Sequence, residues 1–246
     1  MRSRDLPSSR TQTFVLPSDV LAIPRDGYVV YDAPGCREAN FSHRLVLDDP
    51  PDPGQVGQWL DTWRSHHAGK GIERAYLCWE HRRPDTFDGV ERLRCLMKDE
   101  EVAPQIVPQI RAIEDRDEAL ALMSTVEEDT SDAYLRYGRW YLDHLFALCA
   151  DDWGRFLGWY ESGELVGMSA VLWNAREARM QAISVREDHR RKGICSTLVN
   201  ECVLAYQTES FGIVYVVATD GSGAEACYRK LGFRRVTCDF ALGLDP

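Results

Sequence analysis

The chain has 246 residues, 44% of them hydrophobic, enough to bury one large core or two modest ones. Its 39 acidic and 29 basic side chains leave a net charge of −10, which disfavours nucleic acid, whose affinity comes from neutralising phosphates with Lys and Arg. No stretch approaches membrane-spanning length and "MRSRDLPSSRTQTF" lacks the apolar core of a secretory signal, so no membrane partner is expected.

Eight cysteines are spread along the chain with no CxxC pair. That spacing suits neither zinc nor a disulfide framework, and it predicts buried thiols in a reduced, cytoplasmic protein. His66 and His67 fall at a helix end, where a C-terminal cap or a solvent-facing position is expected. With no His and carboxylate at ligand spacing, no metal is expected.

Residues 1–27, rich in Pro, Ser and Arg, read as a loosely ordered N-terminal arm. From Tyr28 the pattern is strand, helix, strand, helix: "FSHRLVL", then "PGQVGQWLDTWRSHHAG" with Val56, Leu60 and Trp63 on one face, "IERAYLCW", and "DTFDGVERLRCLMKDE" as a second helix with an Asp cap. "VAPQIVPQI" is a proline-punctuated connector or edge strand.

Two helices follow, "EDRDEALALMSTVEE" and "SDAYLRYGRWYLDHLFALC", the second capped by Asp132. "GRFLGWYESGELVGMSAVLWN" is a hairpin turning at Ser162-Gly163, and "EARMQAISV" is the next strand. A helix starting near Arg191 or Lys192 presents Ile194, Leu198, Cys202 and Ala205 on one side. "GIVYVVA" is a buried parallel strand, and "SGAEACYRKLG" a short helix with Ala224, Cys227, Tyr228 and Leu231 in one stripe. "FRRVTCDFALGL" closes the chain as one or two strands. The N-terminal strand–helix–strand–helix echoes residues 178–231, which hints at an internal duplication.

The junction "RRKGICSTLV" joins a strand to a helix through a basic turn containing glycine. First-turn amides have no intrahelical partner and lie at the positive end of the helix dipole, so they form an anion site. Gly193 lets a phosphate approach the backbone, Arg190, Arg191 and Lys192 add charge, and Ser196 adds a hydroxyl. Taken alone, such a turn is equally a solvated basic loop in which the glycine serves packing.

Its company gives it meaning. "RRKGIC" resembles the acyl-CoA loop of the GCN5-related N-acetyltransferase (GNAT) family, Q/R-x-x-G-x-G/A, with Arg190 and Gly193 in place. "AEACYRKLGF" is similar to that family's A-x-x-x-Y-x-x-x-G-F, with Ala224, Tyr228, Gly232 and Phe233 present. The element order from 106 to 242 matches as well. The resemblance implies an α/β fold with a mixed, mostly antiparallel central sheet, splayed parallel strands and flanking helices. It further implies a degenerate GNAT-like half at 28–105, as in tandem members, and a catalytic domain at 106–246.

By the same resemblance, Ile183, Ser184 and Val185 offer backbone groups to the pantetheine arm of acetyl-CoA, the cosubstrate. Arg190, Arg191, Lys192, Gly193, Ile194, Cys195 and Ser196 hold its pyrophosphate. Tyr228 stands beside the sulfur and donates to the departing thiolate, although its position on a buried stripe also suits a core aromatic. Cys195 replaces the usual Gly or Ala, Gly221 replaces an Asn seven residues before the tyrosine, and Arg179 occupies the strand position where several relatives carry a catalytic glutamate, with Glu177 nearby.

The function expected is acyl transfer from acyl-CoA to a primary amine of a small molecule, with homodimer formation left open. The alternatives are an aminoacyl or acyl transferase with a tRNA or carrier-protein donor, and a non-catalytic acyl-CoA-binding module. Glu127, Glu128, Asp129 and Asp132 beside Tyr134, Tyr137 and Trp140 suggest an acidic rim with an aromatic wall for a cationic acceptor, or an ordinary solvated helix connection.

Overall fold

Residues 5–81, 90–105, 107–210 and 212–245 are described by a computed structural model. In chain order the elements are α1 (Pro7–Val15), β1 (Leu21–Arg25), β2 (Tyr28–Asp32), β3 (Arg44–Leu47), α2 (Val56–His67), β4 (Ala75–His81), β5 (Glu91–Lys98) and β6 (Ile110–Ala112). They continue with α3 (Arg116–Glu127), α4 (Asp132–Ala150), β7 (Gly154–Glu161), β8 (Glu164–Trp173), β9 (Glu177–Val185), α5 (Ile194–Glu209), β10 (Ile213–Thr219), α6 (Gly223–Lys230) and β11 (Arg234–Leu244). Two units result: one of Met1–Leu96, Val217–Glu225 and Arg235–Pro246, the other of Met97–Val216 and Ala226–Arg234.

Period-two alternation builds the first unit, whose strands run in the order β1-β2-β3-β4-β11-β5. Val30, Leu45, Leu47, Leu77, Trp79, Phe240 and Leu242 share one core with Trp63 of α2. Their neighbours Val29, Tyr31, Val46, Cys78 and Ala241 form another, joined by Leu16 and Val20. Trp79 and Phe240 are register partners on antiparallel β4 and β11, their rings stacked at 5.5 Å. α2 is the crossover between parallel β3 and β4.

Several expectations for this half are corrected. The arm at 1–27 contains α1 and β1. Leu6, the N-cap of α1, gives no side-chain cap; Glu80 of β4 supplies one by accepting the Ser8 and Ser9 amides. Residues 91–98, expected as helix, are strand β5, because pairing within the sheet outweighs the helix-forming Glu, Leu, Arg, Met and Lys in "ERLRCLMK". The start of that expected helix, 85–89, lies outside the described residues. The duplication signal loses its second helix with it. His67 is buried, four residues beyond Trp63 on the inward stripe of α2, and burial holds its pKa down at about 4.

The second unit has the order β10-β9-β8-β7-β6. β6 to β9 pair antiparallel and β9 with β10 parallel, so the mixed, mostly antiparallel sheet expected is present. The β7–β8 hairpin turns at Ser162 (φ 52°) and Gly163 (φ 88°), the two positive φ values a type I′ turn requires. β8 is buried almost throughout, as a strand covered on both faces must be. Val166, Val185, Ile194 and Leu198 tie α5 to the sheet. Asp115 caps α3, and Ser131 caps α4 in place of the expected Asp132, which is its first helical residue.

Candidate active site

β9 and β10 pair only from Glu177↔Ile213 to Arg179↔Tyr215, so the edge of β9 from Met180 to Val185 is left open on that side. This is the splay expected from the sequence. On the other side a register shift against β8 leaves an extra residue in β9, and Ala182 takes a left-handed φ of 49°. Such a bulge re-aims the backbone beyond it. Gln181, just before it, accepts a hydrogen bond from the Tyr141 hydroxyl of α4 at 3.0 Å. Nothing in the sequence signals the bulge; Tyr134, Tyr137 and Tyr141 do signal a stripe at helical spacing.

Beyond the bulge, Val185 lies opposite Gly167, and Arg186 N–H donates to Val166 O at 2.9 Å. Antiparallel alternation therefore turns the N–H and C=O of Val185 away from β8, toward the open edge. The carbonyl accepts from Arg190 Nε at 3.1 Å. Arg190, expected on phosphate, thus has its Nε at the end of β9.

The helix begins at Ile194, later than expected, with Gly193 as N-cap at φ 87° and Arg191 also left-handed at φ 64°. A Cβ on Gly193 would meet nothing within 4 Å, so the glycine is required by its backbone angle and leaves the space before it open. The first intrahelical bond is Thr197 N–H to Gly193 O, which leaves the amides of Ile194, Cys195 and Ser196 without an intrahelical acceptor. The Ser196 and Thr197 hydroxyls both donate to Gly193 O, so the Ser196 proton is committed within the turn.

Charges around the turn divide in two. Arg186 pairs with Glu164 and Asp188, and His189 with Glu161 and Asp188. Arg191 and Lys192 are exposed and have no ion partner among the described residues. A short basic lip remains on an acidic protein.

Tyr228 of α6 is 4% exposed, and its ring lies 6.1 Å from that of Phe233. Burial pushes its phenol above the ordinary range, helped by the nearby thiols of Cys195 and Cys227. Those thiols influence each other: the neighbouring Cys227 and burial push Cys195 up, while Cys195 draws Cys227 below the ordinary thiol value. The buried stripe of α6 is Glu225 and Tyr228; Ala224 is exposed. Reasoning from sequence missed the Cys195–Cys227 contact, although one thiol stands in the first turn of α5 and the other beside Tyr228. Arg179 is buried on β9 among its register partners Leu172 and Tyr215.

A strand edge opened by splay and bulge runs into a bare helix start, with a buried tyrosine on α6, in a mixed α/β fold. Residues 119–233 match the acetyltransferase (GNAT) family, whose members transfer acyl groups from acyl-CoA. No curated protein matches the chain in sequence. Its fold is similar to that of a conserved protein of unknown function from Staphylococcus epidermidis (13% identity, TM-score 0.68, 94% of this chain and 96% of that one). It is also similar to a GCN5-related N-acetyltransferase from Kribbella flavida (17%, 0.65, 96% and 93%). A third similar structure is a tandem GNAT protein from the clavulanic acid biosynthesis pathway (13%, 0.57, 94% and 84%). Among the described residues no helix is long and apolar enough to cross a membrane.

Proposed function

We propose that the second unit moves an acetyl or other short acyl group from acyl-CoA to a primary amine of a small molecule, in a single ternary complex. The observation that carries this reading is the open edge of β9 running into the bare first turn of α5. The edge from Ile183 through Ser184 to Val185 takes the pantetheine arm like an added strand, with Ile183 and Val185 offering the backbone groups. The amides from Gly193 to Ser196, with Arg191 and Lys192, bind the pyrophosphate. Arg190 positions that turn. The segment before about residue 105 is read as a partial half without its own reaction centre, since "DPGQVGQW" carries no cation.

The amine nitrogen attacks the thioester carbon, and the Val185 N–H stabilises the oxyanion. The C–S bond then breaks, its electron pair leaving with sulfur. Tyr228 gives its proton to the thiolate, and the surplus proton on nitrogen restores the phenol. An ammonium drawn in by the acidic rim loses its proton to water before attack, so no carboxylate base is needed, which fits Arg179 at the position of the relatives' glutamate. Glu127, Glu128 and Asp129 concentrate cationic acceptors beside the ring row of Tyr134, Tyr137 and Trp140.

Thiol release from acetyl-CoA over a panel of primary amines tests this, run beside Tyr228→Phe. Amine-dependent release that falls in the variant is expected. Binding of acetyl-CoA without turnover on any amine favours the binding module; transfer only from a charged carrier favours the other donor class.

A further inference from the structure

The geometry points to a buried divalent-metal site of the zinc class in the first unit, formed by Asp32 Oδ1, His43 Nδ1 and a ring nitrogen of His67. The three come from the end of β2, the residue before β3 and the last turn of α2. Their ligand atoms all lie within 4.8 Å of one another, and all three residues are buried. His43 Nδ1 is 2.9 Å and His67 Nδ1 3.6 Å from Asp32 Oδ1. Donors on a tetrahedral zinc ion stand roughly 3.3 Å apart, so the two spacings bracket the value a shared ion imposes.

Two observations support a cation at this site. Both ring nitrogens of His67 are sealed from solvent with no hydrogen-bond partner, between the Trp63, His43 and His66 rings and the Asp32 carboxylate. His43 has a different signature. Its Nε2 lies 3.0 Å from the Cys36 carbonyl and donates there, and the Ala33 amide points at Nδ1 from 3.3 Å, marking Nδ1 as the acceptor nitrogen. That acceptor faces an acidic oxygen at 2.9 Å. Two lone pairs at this distance repel unless a positive charge stands between them.

The surroundings suit a ligand set. A carbonyl on the far nitrogen fixes the ring and raises its basicity, as metal-bound imidazoles require. The Trp63 indole donates to the His43 carbonyl at 2.7 Å and holds the backbone. Lys70, half exposed, places Nζ 2.7 Å from Asp32 Oδ2 and competes for the carboxylate. Two imidazoles and one carboxylate leave the fourth position to water, and the ion ties together β2, β3 and α2.

The test uses the full chain stripped with a chelator and titrated with zinc alone, then with cobalt(II) as a spectroscopic probe. One equivalent binding at sub-micromolar concentration is expected, with the visible bands of a four-coordinate nitrogen–oxygen site and no thiolate charge-transfer band. Affinity falls at least about 100-fold in His67→Leu and rises in Lys70→Met. Should His67→Leu fail to fold, Asp32→Asn and the surface variant Lys70→Met carry the test. Binding no tighter than millimolar, a thiolate band, or affinity unchanged across these variants overturns the proposal and leaves a proton-bridged Asp–His pair.

Discussion

Arg190 Nε donates to the carbonyl of Val185 at 3.1 Å, so the first cation of the basic turn clamps the end of β9 to the start of the loop. The cations of this turn therefore divide by task. Arg190→Ala is expected to raise KM for acetyl-CoA about tenfold and to lower kcat, because a charged hydrogen bond that sets the strand edge is lost. Arg191→Ala and Lys192→Ala raise KM a few-fold with kcat intact, and their effect shrinks at high salt. Steady-state kinetics at two ionic strengths separate the cases; equal effects from all three would refute the division.

Tyr228 keeps its proton. Burial raises its pKa above the ordinary value near 10, so the donor form is complete across the neutral range and stays so as pH rises to 10. The pH dependence of kcat is expected to show no alkaline fall from this group below pH 10. Tyr228→Phe lowers kcat about 100-fold or more at every pH. An alkaline limb near pH 9 that vanishes in the variant would contradict this.

The Cys195–Cys227 pair supplies an independent probe of the site. Cys227, drawn below the ordinary thiol value by Cys195 and only partly buried, is expected to react with iodoacetamide ahead of Cys78 and Cys202, which are buried and pushed up to about 12. Acetyl-CoA protects Cys227 if the carrier lies as proposed. Peptide mass spectrometry with and without acetyl-CoA reads both effects, and labelling unaffected by saturating carrier would count against the placement.

Glu80 is the remote cap of α1, accepting the Ser8 amide at 2.9 Å, the Ser9 amide at 2.7 Å and the Thr237 hydroxyl. Glu80→Ala orphans all three donors in a site where Glu80 itself is 2% exposed. A loss of about 3 kcal/mol is expected, read as a lower denaturant midpoint. A change below about 0.5 kcal/mol would mean that α1 stands without its cap.

How legible these features were depended on where their partners lie. The 154–185 hairpin and strand carry their turn residues and alternation locally, and "GIVYVVA" announces a buried parallel strand by composition. Gly193 and Tyr228 stood at readable motif positions. Glu80 lies 72 residues from the helix it caps, so "LPSSRTQTFV" looks unanchored on its own. "ERLRCLMK" has helical composition and becomes a strand only within its sheet. His67 was readable, at four residues from Trp63, had the stripe been carried one turn further. The bulge at Ala182 has no residue signature, because any small side chain accommodates it.

The bond between Ser8 and Asp239 spans 231 positions, and β4 has β11 as its antiparallel partner. During synthesis, residues 97–216 leave the ribosome as one continuous run and can collapse while the chain is still growing. α1 waits for β11 before Ser8 can meet Asp239. Until then the earliest segment needs protection from aggregation, and truncation before Asp239 would strand it unfinished.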